Sequence, residues 1–240
     1  YGEVPAQNVR ITYHSNYKAD GSTAETTQQS DLQYNNTEIT LAASATFTRT
    51  GYQFKGWNTQ ADGKGTSFAA GSQVLIDRIG SNDLYAQWEK CKYTITYINE
   101  GKKKGGHGDY NYETIHNCEY GSKTPTNSLS SNTFIDDDYY FTGWNPAVAE
   151  TVTADATYTA KWAKKTAITI TAKTVEKTYD GEWIGGDADI TGDLPAGCSV
   201  TFNCDPIKAV TKNPVSTNIN TPKVSDKFAK DVTDKFKITI

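Results

Sequence analysis

A chain of 240 residues, 22% charged and 36% hydrophobic, is too long for one small module and fits two or three. Its net charge of -4 gives no electrostatic footprint for nucleic acid, and no apolar run approaches the ~18 residues of a membrane span. Met is absent even at position 1, which reads as an internal or processed segment, and no signal peptide is visible.

Residues 1–8 form a polar lead-in with Pro5. Val9, Ile11 and Tyr13 then alternate with Arg10, Thr12 and His14, the pattern of a half-buried strand with His14 on the wetter face. Asp20-Gly21 marks a turn, the Thr/Gln-rich run from Thr23 to Gln33 reads as a solvated returning strand, and Asn35-Asn36 makes another turn. Asn35-Asn36-Thr37 is also a formal glycosylation sequon, a triplet that arises by chance. Ile39, Leu41, Ala42, Ala43 and Ala45 suit one short helical turn. A strand follows at 51–58, where strict alternation puts Tyr52, Phe54 and Gly56 on one face and Gln53, Lys55 and Trp57 on the other. Gly56 removes a side chain, which suits a bulge or a close approach by a neighbouring strand. Asp62-Gly63-Lys64-Gly65 is a loop with two readings, a turn needing positive φ at its glycines or a calcium site. The second lacks the spaced carboxylates and closing glutamate of an EF-hand. Phe68 and Val74-Leu75-Ile76 bring apolar residues back before a closing strand at 84–88.

The pattern then recurs. Ile95-Thr96-Tyr97 answers Ile11-Thr12-Tyr13, Phe141-Thr142-Gly143-Trp144 answers Phe54-Lys55-Gly56-Trp57, and Thr157-Tyr158-Thr159-Ala160-Lys161-Trp162 answers Leu84-Tyr85-Ala86-Gln87-Trp88. A core must recur with the fold, so the repeated aromatics read first as core. Their other reading is a ligand-stacking platform, with Trp57 and Trp144 as its binding candidates. The basic, glycine-rich tip from Glu100 to Asp109 is either solvated and mobile, or touches an anionic partner through Lys102, Lys103 and Lys104, or takes a metal at His107. Asp136-Asp137-Asp138 reads as an exposed turn. From Thr166 a different pattern begins, with Ile168, Ile170 and Ala172 alternating against Thr169 and Thr171, and turns at Asp180-Gly181 and Leu194-Pro195-Ala196-Gly197.

Four cysteines allow two bridges or none. If 93–99 pairs antiparallel with 111–117, Cys91 lands opposite Cys118 or one place away, which makes these two the disulfide candidate. Cys198 and Cys204 lie about 20 Å apart if the segment between them is extended, beyond the reach of a bridge. No C-x-x-C or H-x-x-x-H spacing suggests zinc, the three His match no nucleophile motif, and no phosphate-binding loop is present. No catalytic residue, cofactor or metal is therefore expected.

Gly51-Tyr52-Gln53-Phe54-Lys55-Gly56-Trp57-Asn58, with Asp62-Gly63-Lys64-Gly65 and Leu84-Tyr85-Ala86-Gln87-Trp88, resembles the Listeria–Bacteroides repeat, also called the internalin-type B repeat. A variant of that family is similar to the second unit, through Glu119-Tyr120-Gly121, Thr124-Pro125-Thr126, Tyr140-Phe141-Thr142-Gly143-Trp144 and Asp155-Ala156-Thr157-Tyr158-Thr159-Ala160. That unit lacks the Asp-Gly-x-Gly turn. The last third resembles the MBG or YDG-type modules of bacterial surface proteins, through Lys177-Thr178-Tyr179-Asp180-Gly181, Ile190-Thr191-Gly192 and Asp231-Val232-Thr233-Asp234. These resemblances imply a mostly β chain of tandem small β-grasp-like modules, two of B-repeat type at 1–90 and 91–164, and a third β-rich module at 165–240. The third is expected to want one more closing strand after Phe236-Lys237-Ile238-Thr239-Ile240. The implied function is a non-catalytic, monomeric spacer or stalk in a secreted or wall-attached bacterial surface protein, partnered by other modules of that protein. The alternative is an adhesin-type module for a glycan or host protein.

Overall fold

A computed structural model describes residues 8–18, 22, 24–34, 37–43, 46–76, 79, 81–173, 180–182, 186–204 and 219–240. Regular structure there is β-strand with short 3-10 turns. The first strands are β1 (Asn8–Val9), β2 (Thr12–Lys18), β3 (Glu25–Gln29), β4 (Gln33–Tyr34), β5 (Glu38–Thr40), β6 (Tyr52–Asn58), β7 (Ser67–Phe68), β8 (Gln73–Leu75) and β9 (Asp83–Lys90). Next come β10 (Lys92–Asn99), β11 (Asn111–Glu119), β12 (Tyr139–Asn145) and β13 (Ala156–Lys164). The last are β14 (Thr166–Ala172), β15 (Ala188–Gly192), β16 (Ser199–Cys204), β17 (Ile219–Ser225) and β18 (Phe236–Thr239). The chain is mostly β, built as several small sheets. It divides into two compact units, one of residues 1–95, 115–125 and 149–156, the other of 96–114, 126–148 and 157–240.

The first sheet has the order β3-β2-β9-β6-β7, with β2 parallel to β9 and the other neighbours antiparallel. Beside it, β5 pairs with β8. Ile11, Tyr13, Ile39, Leu41, Phe47, Trp57, Ile76, Ile79, Leu84 and Ala86 form the buried core. Ile39, expected in a short helical turn, thus lies in a strand, because Glu38–Thr40 finds a partner in Gln73–Leu75, while Thr46, whose N–H donates to the Ala43 carbonyl at 3.2 Å, is of 3-10 form. Ser44 and Ala45 lie outside the described residues, as do Pro5, Asp20-Gly21, Asn35-Asn36 and Lys177-Thr178-Tyr179.

The four-stranded sheet β11-β10-β13-β12 uses the same order as β3-β2-β9-β6. The register is also the same, with Phe54 opposite Trp88 and Trp57 opposite Ala86 in the first, Phe141 opposite Trp162 and Trp144 opposite Ala160 in the second. Both registers break at the glycine, between Phe54 and Gly56 and between Phe141 and Gly143. Gly56 and Gly143 adopt φ of 132° and 128°, so each supplies a bulge that a side chain would strain. One extra residue reverses the alternation beyond it. Trp57 therefore joins the face of Phe54, with rings 5.0 Å apart, and Trp144 joins Phe141 at 5.4 Å. The strict alternation expected from sequence stops at the bulge.

β1 pairs antiparallel with β4, and the strands from β14 on form β15-β14-β18 and β16-β17, with β14 antiparallel to β15 and parallel to β18. Ile168 and Ile170, two residues apart on one face of β14, anchor two clusters, the first with Val224, Val232 and Phe236, the second with Ala188 and Ile219. β18 stands at the edge of its sheet.

Single residues separate β9 from β10 and β13 from β14. At the first, the N–H of Cys91 donates to the carbonyl of Gly51 (2.9 Å) and its own carbonyl accepts from Tyr120 (2.9 Å). A Cβ on Gly51 would fall inside the Tyr120 ring. At the second, the N–H of Lys165 donates to the carbonyl of Asp138 (2.7 Å), whose carboxylate takes the Lys237 ammonium at 2.5 Å. By register Asp138 corresponds to Gly51 and Lys165 to Cys91, so one backbone device recurs.

Candidate functional site

The tryptophans were the first candidates. Trp57 is 1% exposed, packed on Tyr13, Phe47 and Phe54, with its Nε1–H donating to the Ala42 carbonyl (2.9 Å). Trp144 is half-buried between Tyr97, Phe134 and Phe141. Trp88 and Trp162 are also half-buried, and Trp183 lies outside the described residues. Trp57 thus fills the core, and its burial keeps it from touching a ligand.

The Lys102–Lys104 loop exposes its three lysines and is held at its base. It forms one 3-10 turn between Gly101 (φ 62°) and Gly105 (φ 80°), closed by Gly106 N–H donating to the Gly101 carbonyl at 2.9 Å. Asn99, 1% exposed, holds its return: the side-chain amide donates to the carbonyls of His107 (2.7 Å), Asp109 (2.8 Å) and Thr133 (2.9 Å). The Asn99 Oδ1 accepts from Trp162 Nε1 at 3.2 Å. Asp136, expected in an exposed turn, is buried instead. Its carboxylate accepts from the N–H groups of Gly108, Asp138 and Tyr139, and faces the Lys102 ammonium at 3.5 Å. Burial alone would raise its pKa; those three N–H groups and Lys102 outweigh it and hold the carboxyl below the usual range. His107 lies flat on Tyr139, with ring centres 3.5 Å apart. Beside the turn, Tyr110 and Tyr112 are 51% and 59% exposed, their rings 6.3 Å apart, with the Lys104 ammonium 5.8 Å from the Tyr110 ring. Sequence reading overlooked both tyrosines, although their spacing of two beside a lysine run was the available signal.

The Asp62-Gly63-Lys64-Gly65 loop is organised by Asn58, which is fully buried. Its amide donates to the Gly63 and Gly65 carbonyls and to Ser67 Oγ, while its Oδ1 accepts from the N–H groups of Gln60 and Gly65. Of the two glycines only Gly63 has positive φ (78°). Among the described residues no group of three or more His, Cys, Asp or Glu is placed to hold a metal ion.

His14 sits between strands. Its Nδ1 lies 2.7 Å from Glu25 and its Nε2 2.8 Å from Asp83, with the ring stacked on Tyr85 at 4.4 Å. Both ring nitrogens donate only as the imidazolium. Burial lowers the pKa, but the hydrogen bonds to Asp83 and Glu25 and their charges outweigh it, and the net shift is upward. The carboxylates lie on opposite sides of the ring, so the trio staples three strands and forms no metal site.

All four thiols are free. The Cys91 carbonyl accepts from the Tyr120 N–H, and Asn117, next to Cys118, has φ 60°. Cys118 is buried, with its Sγ 3.5 Å from the Ile115 carbonyl. Cys198 and Cys204 flank and end β16 and touch different core clusters.

The Listeria-Bacteroides repeat domain matches residues 11–87. That segment is a Listeria-Bacteroides repeat module, of a family associated with bacterial surface repeat proteins. Two proteins of Evansella cellulosilytica are similar to this chain. One, provisionally named a Gly-rich membrane protein, is 30% identical over 132 residues, 54% of this chain and 14% of its own length. The other, provisionally named a membrane protein, is 31% identical over 134 residues, 52% of this chain and 19% of its own. The chain therefore spans less than a fifth of either relative. No solved structure matches it. Among the described residues no helix is long and apolar enough to cross a membrane.

Proposed function

We propose that the chain is a spacer segment of a bacterial cell-surface protein, exposed outside the cell and made of three modules at 1–90, 91–164 and 165–240. The first two are B-repeats of β-grasp type and the third is an MBG-like module. The observation that carries this reading is the recurrent joint. A one-residue link is pinned by its own N–H to residue 51 or 138, and the next stretch of chain presses on that residue through Tyr120 or Lys237. Links so short and so bonded restrict the swing between neighbours, which a projecting stalk needs more than a pocket. The burial of Trp57 supports the same reading, since that indole packs in the core of the first sheet.

Small-angle scattering on residues 1–240 tests it. An elongated monomer is expected, and a compact particle overturns the spacer. Replacing Gly51 by Ala, whose Cβ collides with Tyr120, is expected to broaden the distance distribution without unfolding the first sheet.

A further inference from the structure

We infer that the outer edge of β12, at residues 143–145, is a docking site for an extended peptide. Its occupant is a segment of another polypeptide running antiparallel to β12, with an aromatic residue opposite Trp144 and a small hydroxyl residue opposite Asn145. The inference goes beyond the spacer reading and does not rest on it.

The first sheet, with the same strand order and register, contains the segment that fits there. In it β7 covers the outer edge of β6, with Phe68 opposite Trp57 and Ser67 opposite Asn58. The Thr59 N–H extends the pairing to the Thr66 carbonyl at 3.1 Å, Phe68 packs against the core, and the Asn58 side chain donates to Ser67 Oγ at 2.9 Å. Gly56, Trp57 and Asn58 are all buried beneath it. In the second sheet the return from β12 to β13, residues 146–155, is shorter than the 59–82 return and contributes no strand, so β12 is the last strand of its sheet. The same three positions are uncovered as a result: Gly143 and Trp144 are half-buried and Asn145 is exposed.

The geometry at the two glycines agrees. A Cβ on Gly56 would meet the Phe68 carbonyl oxygen at 2.6 Å and the Ala69 Cα at 3.8 Å, whereas one on Gly143 meets nothing within 4 Å. An extended segment laid along β12 gains ladder hydrogen bonds on an edge with no strand partner, and its aromatic ring covers the exposed part of the Trp144 indole. Asn145 carries the same amide that in Asn58 takes the serine hydroxyl, which selects the residue beside the aromatic. The far end of β12 is already engaged, since Asp138 holds the Lys237 ammonium and the Lys165 N–H, and this confines the site to 143–145.

The test is a nuclear magnetic resonance titration of residues 1–240 with a capped peptide copying residues 64–71. Saturable shifts are expected at the amides of 142–145, with a Kd of roughly 0.1–1 mM. No comparable shifts are expected at 56–58, where β7 is already seated. Replacing the phenylalanine of the peptide by alanine should weaken binding roughly tenfold. Gly143→Ala places a Cβ where the peptide backbone lies but touches nothing in the free chain, so it should weaken binding roughly tenfold while the other strands keep their shifts. Absence of saturable shifts at 142–145 overturns the inference, as does equal binding by the alanine peptide or by the Gly143→Ala chain. Sedimentation equilibrium without peptide is expected to show a monomer. A dimer that Gly143→Ala dissolves gives the edge to a second copy and overturns the peptide.

Discussion

Strands β6 and β12 carry the same motif in the same register, but they end differently. In the first, Trp57 is followed by Asn58, fully buried, whose side chain satisfies five backbone or hydroxyl groups of the next loop. In the second, Trp144 is followed by Asn145, exposed, and a cis bond to Pro146. The pinning role moves to Asn99 at the end of β10, where the first sheet has Ser15. The tryptophan at the Trp88 position follows: Trp88 donates to the Ser15 carbonyl at 2.7 Å, and Trp162 to the Asn99 side chain at 3.2 Å. The apolar half of the repeat is kept, while the polar pin sits wherever a long loop must be held.

That contrast is open to measurement, beginning with the largest effect. Trp57→Ala is expected to cost about 3–5 kcal/mol, and Trp144→Ala, half-buried, about 2 kcal/mol, read from denaturant midpoints. Equal costs would mean the second core is as closed as the first.

The bulge glycines come next. Gly56→Ala meets both an unfavourable φ and the Phe68 carbonyl 2.6 Å from the new Cβ, whereas Gly143→Ala has a similar φ and open space. About 3 kcal/mol is expected for Gly56→Ala and about 1–2 for Gly143→Ala. Thermal melts of the two variants check this.

Asn58→Ala strips partners from buried backbone groups and is expected to cost about 2–3 kcal/mol. Asn145→Ala, at the matching position, should fall within about 0.5 kcal/mol of zero. A large loss at Asn145 breaks the comparison.

The smallest effects concern pH, and they have opposite signs in the two regions. The His14 pKa is raised in the folded chain, so its contribution is complete below the unfolded value near 6.5 and is lost as pH rises through the folded value. The Asp136 pKa is lowered, so its contribution is complete above the unfolded value, about 3.8, and is lost as pH falls through the folded value. His14→Gln should flatten stability against pH on the alkaline side of 6.5, and Asp136→Asn on the acid side of 3.8, each followed by chemical denaturation.

Much of this was legible in the residues alone. Alternation at 9–13, 93–97 and 166–172 names strands because the pleat has a period of two, and that property is local. The paired Phe-x-Gly-Trp motifs name a repeated core, and the glycine between them announced a bulge. The same local rule failed one residue later. Once the bulge inserts a residue, the face of Trp57 depends on whether β9 pairs before or after it, and pairing is a contact between segments about 30 residues apart in the chain. Ile39, expected in a helical turn, lies in a strand for the same reason: Glu38–Thr40 is a strand because Gln73–Leu75 lies beside it. Polar residues were the least legible. Nothing about Asn58, Asn99 or Asp136 in sequence distinguishes a buried pin from an exposed loop residue. Burial of such groups is favourable only when several backbone donors and acceptors converge on them. That convergence exists only once the strands have met, so sequence set the strands and the repeated core, and the tertiary structure decided which polar side chains hold them.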